Sequence, residues 1–207
     1  MKYLPGLALL LVVGTTGGTT GRSTGGTTGS GRAIMQSTAE AQLMHGDYKN
    51  AVSSFESGLA KDPGDIRARV GLVQALLETG EYGAAEARLR EFLKTSEDAA
   101  LRNQLGEALF ETGRYQQSAV EFEKGGAIAK GADWLQAKLG QARALIAQGK
   151  QDGAQPLLRQ LPGYQNNGND GTAVEFTLIA QGLVYLERYK EANDFYIDAR
   201  QKDPGYL

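Results

Sequence analysis

His45 is the one imidazole in this 207-residue chain. A general base needs an orienting partner, and no second histidine stands ready to serve. It immediately precedes Gly46, at an expected helix end, so a surface position is its reading. There is no cysteine, hence no disulfide framework, no thiolate zinc site and no thiol nucleophile. No Gly-x-Gly-x-x-Gly or phosphate-loop phrase occurs. Gly125-Gly126 lies near a helix end and reads as a terminator rather than a phosphate cradle. The carboxylates Glu78, Glu86, Glu91 and Glu107 are interspersed with basic residues and read as solvated faces, not as a catalytic pair. The run from Pro162 to Gly171 is rich in Asn and Gly. It has no acidic twelfth ligand for a calcium loop, and it reads as a surface insertion, with a binding rim as the functional alternative. Lys plus Arg total 22 against 24 Asp plus Glu, a net charge of -2 that argues against a nucleic-acid partner. The expectation is no catalytic residue, no metal, no cofactor and no small-molecule substrate.

What the chain does carry is a repeat. Gly46-Asp47-Tyr48-x-x-Ala51 returns as Gly80-Glu81-Tyr82-x-x-Ala85 and Gly113-Arg114-Tyr115-x-x-Ser118. Gly149-Lys150-Gln151-x-x-Ala154 and Glu187-Arg188-Tyr189-x-x-Ala192 follow, at spacings of 34, 33, 36 and 38 residues. Each phrase joins two apolar runs of helical spacing, as in Leu72-Val73-x-x-Leu76-Leu77. The glycine ends one helix in the left-handed conformation, the tyrosine begins the next, and the small residue lets the pair approach. Ten helices are expected, near 33–45, 48–61, 65–79, 82–95, 97–112, 115–129, 132–148, 151–161, 172–186 and 189–202.

This pattern resembles the tetratricopeptide repeat family, whose unit is 34 residues. The small residue of unit position 8 falls on Ala39, Val73, Gly106, Ala142 and Ala180, and that of position 20 on Ala51, Ala85, Ser118, Ala154 and Ala192. Position 24 falls on Phe55, Leu89, Phe122, Leu158 and Tyr196. Departures are Phe92 and Leu161, large where the family is small, Gln151 in place of the turn aromatic, and Gln42, polar at position 11. Closing prolines stand only at Pro63 and Pro204. The resemblance implies an all-α fold, a right-handed superhelix (α-solenoid) of about five helix-turn-helix hairpins. Its units fall near 32–65, 66–98, 99–133, 134–171 and 172–207, with unit four the least regular.

The same resemblance implies a concave face lined by each unit's first helix, where a protein or peptide partner would bind. Its candidate contacts are Gln36, Glu40 and Leu43 in unit one, and Arg67, Val70, Gln74 and Leu77 in unit two. Asn103, Glu107 and Phe110 follow in unit three, Leu139, Arg143 and Ile146 in unit four, and Thr177, Gln181 and Val184 in unit five. Unit position 13, also inward, holds Met44, Glu78, Glu111, Ala147 and Tyr185. Position 12 is apolar throughout, either as an apolar floor for a ligand or as a stripe half-buried between neighbouring helices. Chaperone-binding members hold a peptide carboxylate with a lysine at position 5. Here position 5 is Gln36, Val70, Asn103, Leu139 and Thr177, so that clamp is absent and an acidic C-terminal peptide is not the expected ligand.

Ahead of the array lies MKYLPGLALLLVVG. Lys2 and an apolar run from Leu4 to Val13 fit a secretory signal and are too short for a membrane span of ~20 residues. Residues 1–14 are therefore read as a signal peptide, and a leader without targeting value is the alternative. Leu11-Val12-Val13-Gly14 resembles the stretch before an acylated cysteine, but Thr15 follows, so no lipid anchor is expected. Residues 15–31 are almost wholly Gly, Thr and Ser, the composition of a flexible linker or of a glycosylated stalk. The chain stops at Asp203-Pro204-Gly205-Tyr206-Leu207, without an obvious polar capping helix. It is expected either to continue as a longer array or to dock its open end on a partner. The function expected is a non-catalytic interaction scaffold, exported and envelope-associated in a bacterium. The alternative is the N-terminal segment of an envelope enzyme, such as a peptidase, with its catalytic part beyond Leu207.

Overall fold

A computed structural model describes residues 38–167 and 171–204. The expected signal peptide at 1–14, the linker at 15–31, the start of the first unit with Gln36, and residues 168–170 and 205–207 lie outside the described residues. The first helix, α1, is seen over 38–44. It is followed by α2 (Tyr48–Lys61), α3 (Ile66–Glu78), α4 (Tyr82–Leu93), α5 (Ala99–Glu111), α6 (Tyr115–Ile128), α7 (Gly131–Ala147), α8 (Gln151–Gln160), α9 (Ala173–Tyr185) and α10 (Tyr189–Lys202). The described residues contain no strand. The fold is an all-α solenoid of helical hairpins, as the repeat predicts.

Each hairpin closes in the same way. Gly46, Gly80, Gly113 and Gly149 take φ between 76° and 77°. In each, the amide after the glycine donates back into the first helix: Asp47 to Gln42, Glu81 to Leu76, Arg114 to Leu109, and Lys150 to Leu145, at 2.8–2.9 Å. These bonds satisfy carbonyls that a helix end would otherwise leave open. Unit five makes the same bond, Arg188 to Leu183 at 3.0 Å, but with Glu187 at φ 59°. A side chain there crowds the following carbonyl, at a cost of roughly 1–2 kcal/mol. Glu187→Gly is therefore expected to raise stability by about 1 kcal/mol, read as a higher urea midpoint with an unchanged slope.

The second junction, between units, is held by side-chain caps. Asp65 accepts from the amides of Arg67 and Ala68, and Asp98 from that of Leu101. Thr172 and Glu175 form a reciprocal capping box at α9. Unit four enters differently, through Gly131 at φ 62° and with no side-chain cap.

Packing follows size. Ala51, Ala85, Ser118, Ala154 and Ala192 are all buried at the hairpin crossing. The Ser118 hydroxyl donates to the Gly106 carbonyl at 2.7 Å, which makes its burial tolerable. Gln42, the polar departure, accepts from Ser54 at 2.8 Å across the first hairpin. Leu161, large where the repeat pattern calls for a small residue, is fully buried. Opposite it stands Gly182, where a Cβ would run into Leu161 Cδ1. Phe92 is buried beneath the Arg69 guanidinium, 4.9 Å from the ring centroid.

Two sequence readings need correction. Gly125-Gly126 does not end a helix, because α6 continues to Ile128. Gly125 is buried with the Asn103 Oδ1 2.6 Å from where a Cβ would be, so glycine is required for close approach. The long loop after α8 is not merely a surface insertion either. Its first part is a 3-10 turn, Pro162–Asn167, whose Tyr164 stacks on Trp134 at 5.9 Å and donates to Glu175 at 3.0 Å, joining units four and five.

Candidate protein-binding face

Consecutive first helices α3, α5, α7 and α9 touch one another, so their common outward side forms one continuous surface. The expected contact residues divide by depth on it. Val70, Asn103, Leu139 and Thr177 are buried between neighbouring helices and support the surface from below. Asn103 is wholly enclosed, donating to the Asp133 carbonyl at 2.9 Å, and Thr177 donates to Ala173 at 2.9 Å. Glu40, Gln74, Glu107, Arg143 and Gln181 are half-buried, and Arg67 is exposed.

The apolar row reaches solvent. Leu43, Leu77, Phe110 and Ile146 are half-buried, and Val184 is 41 % exposed. Leu43 and Leu77 lean on the core of units one to three, and Ile146 on that of units four and five. These three are thus anchored on one side and open on the other, half-buried between neighbouring helices and still offering apolar surface.

Phe110 is the most elaborately held of the row. It meets Tyr115 with ring centroids 5.2 Å apart, and the Arg143 guanidinium lies 4.5 Å above its face. Arg143 also donates to both carboxylate oxygens of Glu107 at 3.2 Å, a bridge between α5 and α7. Burial alone would push the Arg143 guanidinium down. Glu107, with Tyr185 and Glu111 beside it, more than offsets that, so the cation is kept. This cluster ties aromatic, cation and carboxylate together across α5 and α7.

The candidate contacts leave out the neighbouring position 13. Met44 is 79 % exposed and Tyr185 44 %, and Glu78 and Glu111 are exposed at the ends of α3 and α5. The signal is present in the repeat register, where these positions are inward-facing. The reading of the glutamates as solvated faces is also too simple. Glu86 bonds both Arg90 and Arg114, and Glu107 bonds Arg143. His45 is at an exposed helix end, its Nδ1 2.6 Å from the Ala41 carbonyl oxygen. Away from this face, a cavity of about 490 Å³ between α4 and α6 is lined by Arg90, Leu109, Gln116, Gln117, Val120 and Glu121.

Two tetratricopeptide-repeat family profiles match the sequence, one at residues 42–98 and another at residues 135–160. No curated protein matches it. Among solved structures, a thermophilic TPR protein of Thermus thermophilus superposes with a TM-score of 0.64 at 19% identity, covering 85% of this chain and 93% of the other. PilF of Pseudomonas aeruginosa gives 0.62 at 18% identity, covering 83% and 77%. YrrB, described as a TPR protein with an unusual peptide-binding site, gives 0.51 at 16% identity, covering 83% and 86%.

Proposed function

We propose that this chain, which is a tetratricopeptide-repeat protein, works as a non-catalytic scaffold that holds a protein or peptide partner on its concave face. The observation that carries the reading is the row Leu43, Leu77, Phe110, Ile146 and Val184, in which Leu43, Leu77 and Ile146 lean on the core, Phe110 is held by Tyr115 and Arg143, and Val184 is open to solvent. Side chains already fixed by packing lose little entropy when a partner covers them, so an apolar ligand face gains from their burial. The peptide-binding description of YrrB agrees with this reading. We further propose that the chain is exported to a bacterial envelope, a reading supported by Lys2 and the apolar run Leu4 to Val13.

The test is affinity capture from an envelope extract with the unaltered chain, Leu77→Arg, Phe110→Arg and the outer-face control Val120→Arg. Val120 is 44 % exposed and lies outside the row. Circular dichroism first confirms that each variant folds. Burying an unpaired guanidinium at a contact centre is expected to weaken capture about 30-fold or more for the two concave variants. Val120→Arg should retain every partner. Equal retention by all four proteins would exclude the concave face.

A further inference from the structure

The chemistry of the occupant can be read from the edge of the same face, and this inference rests on the scaffold reading above. Glu78 and Glu111 are the last residues of α3 and α5, and they flank Leu77 and Phe110 of the apolar row. Carboxylates there break an electrostatic rule. A helix C-terminus carries partial negative charge and favours a cation, yet the last turns of α3, α5, α7 and α9 hold no basic residue. Two carboxylates are thus added to an edge that is already negative. Both carboxyls are also held above the ordinary glutamate value, Glu78 by partial desolvation and Glu111 by partial desolvation with Glu107 beside it, which together outweigh the pull of Arg143. Cations relieve them little: Arg143 pulls Glu111 down in part but is bonded to Glu107, and Arg67 stands at the other end of α3, about 16 Å away along the helix at 1.5 Å per residue.

A local arrangement that costs stability without a gain inside the fold is the expected mark of a binding site. We propose that the partner segment is a basic amphipathic helix whose apolar side lies on Leu77, Phe110 and Ile146 and whose Lys or Arg side chains reach Glu78 and Glu111. The spacing agrees. Neighbouring helices lie about 8–10 Å apart, close to the ~11 Å of two turns of a ligand helix, so residues seven apart meet successive units. Charge complementarity of this kind sets specificity and speeds encounter.

The test uses three synthetic 18-residue helical peptides sharing one leucine face, with lysine, glutamine or glutamate on the polar side. Each is titrated into the full chain and followed by fluorescence anisotropy. The lysine peptide is expected to bind at least tenfold tighter than the glutamine peptide, and more so at low salt. Glu78→Gln with Glu111→Gln should remove that advantage, leave the glutamine peptide unaffected, and raise or preserve thermal stability at neutral pH. Glu91→Gln with Glu123→Gln, which removes the same charge from second helices, should change nothing. A lysine peptide that binds no better than glutamine, or that binds the Glu78/Glu111 variant as well as the unaltered chain, overturns the inference. Phe110→Arg separates the two proposals, because peptide binding unchanged by it excludes the concave face itself.

Discussion

Phe122→Ala is expected to lower the free energy of unfolding by about 3–5 kcal/mol, a large part of what a domain of this size holds. Phe122 is 1 % exposed. Its ring stands between Gly106 of α5 and Gly140 of α7. A Cβ added at Gly106 would lie 2.9 Å from the ring, and one at Gly140 would lie closer still. Its position makes the loss consequential. One hydrophobic core runs from Ala39 to Leu109 and another from Leu135 to Ala192, and Phe122 lies at the seam between them. In a repeat array, stability is roughly a sum of unit terms and nearest-neighbour interface terms. Emptying this seam should therefore uncouple the halves as well as weaken them. Trp134, the one tryptophan, reports on unit four, and far-ultraviolet circular dichroism reports on all helices. The two urea transitions should coincide in the unaltered protein and separate in Phe122→Ala. A loss under about 1 kcal/mol, or transitions that stay coincident, would remove Phe122 from this role.

The complementary change tests the cause. Gly140→Ala puts a methyl group into the ring and should destabilise by several kcal/mol, although alanine is the better helix former by about 1 kcal/mol. Phe122→Leu combined with Gly140→Ala should recover much of that loss. The pairing of sizes recurs along the array. Phe55 is followed by Gly71, where a Cβ would run into the ring, whereas Leu158 is followed one unit later by Leu178 at the same register.

That exchange marks the limit of what the sequence alone discloses. The hairpins are legible because their determinants are local: a glycine at positive φ, a small residue a few positions later, and apolar spacing on either side. The partner of a given large side chain is not local. Phe92 and Leu161 look like departures from a pattern until Arg69 and Gly182 are seen opposite them. The candidate face of the first helices is legible only as a register. It groups Glu107, Phe110 and Arg143, which the structure joins. It does not distinguish Val70, Asn103, Leu139 and Thr177, which the next helix covers, from the row that stays open. Burial between repeats depends on how closely neighbouring helices approach, and that follows from side-chain volumes on both. Glu78 and Glu111 already fall at the ends of the helices expected at 65–79 and 97–112, and the structure ends α3 and α5 on them.

The second large effect is electrostatic. Arg102→Met is expected to cost about 2–3 kcal/mol at neutral pH. Arg102 binds both oxygens of Glu97, at 2.7 and 2.8 Å, and reaches across to Glu121 of α6 at 2.5 Å. The Glu121 side chain is 11 % exposed and has Lys124 as its other partner, at 2.8 Å. Methionine keeps the apolar stem and removes the cation, so the loss belongs to the charge and not to a cavity. Glu97 is held below the ordinary glutamate value of 4.5, chiefly by its bond from Arg102. Burial pulls Glu121 upward, but the bonds from Lys124 and Arg102 bring it below that value as well. Carboxyls lowered in the folded state stabilise it above their unfolded pKa, and this contribution is lost as pH falls through the folded value. The deficit of Arg102→Met should thus be full at about pH 7 and smaller at about pH 3, as the carboxyls take up protons on the way through their lowered folded values. Arg102→Lys retains one charge but not the planar fork, and should recover only part of the loss. Urea midpoints at the two pH values measure the difference. A deficit of the same size at both would show that Arg102 acts through the packing of its stem, because only the ion pairs lose their charge on acidification.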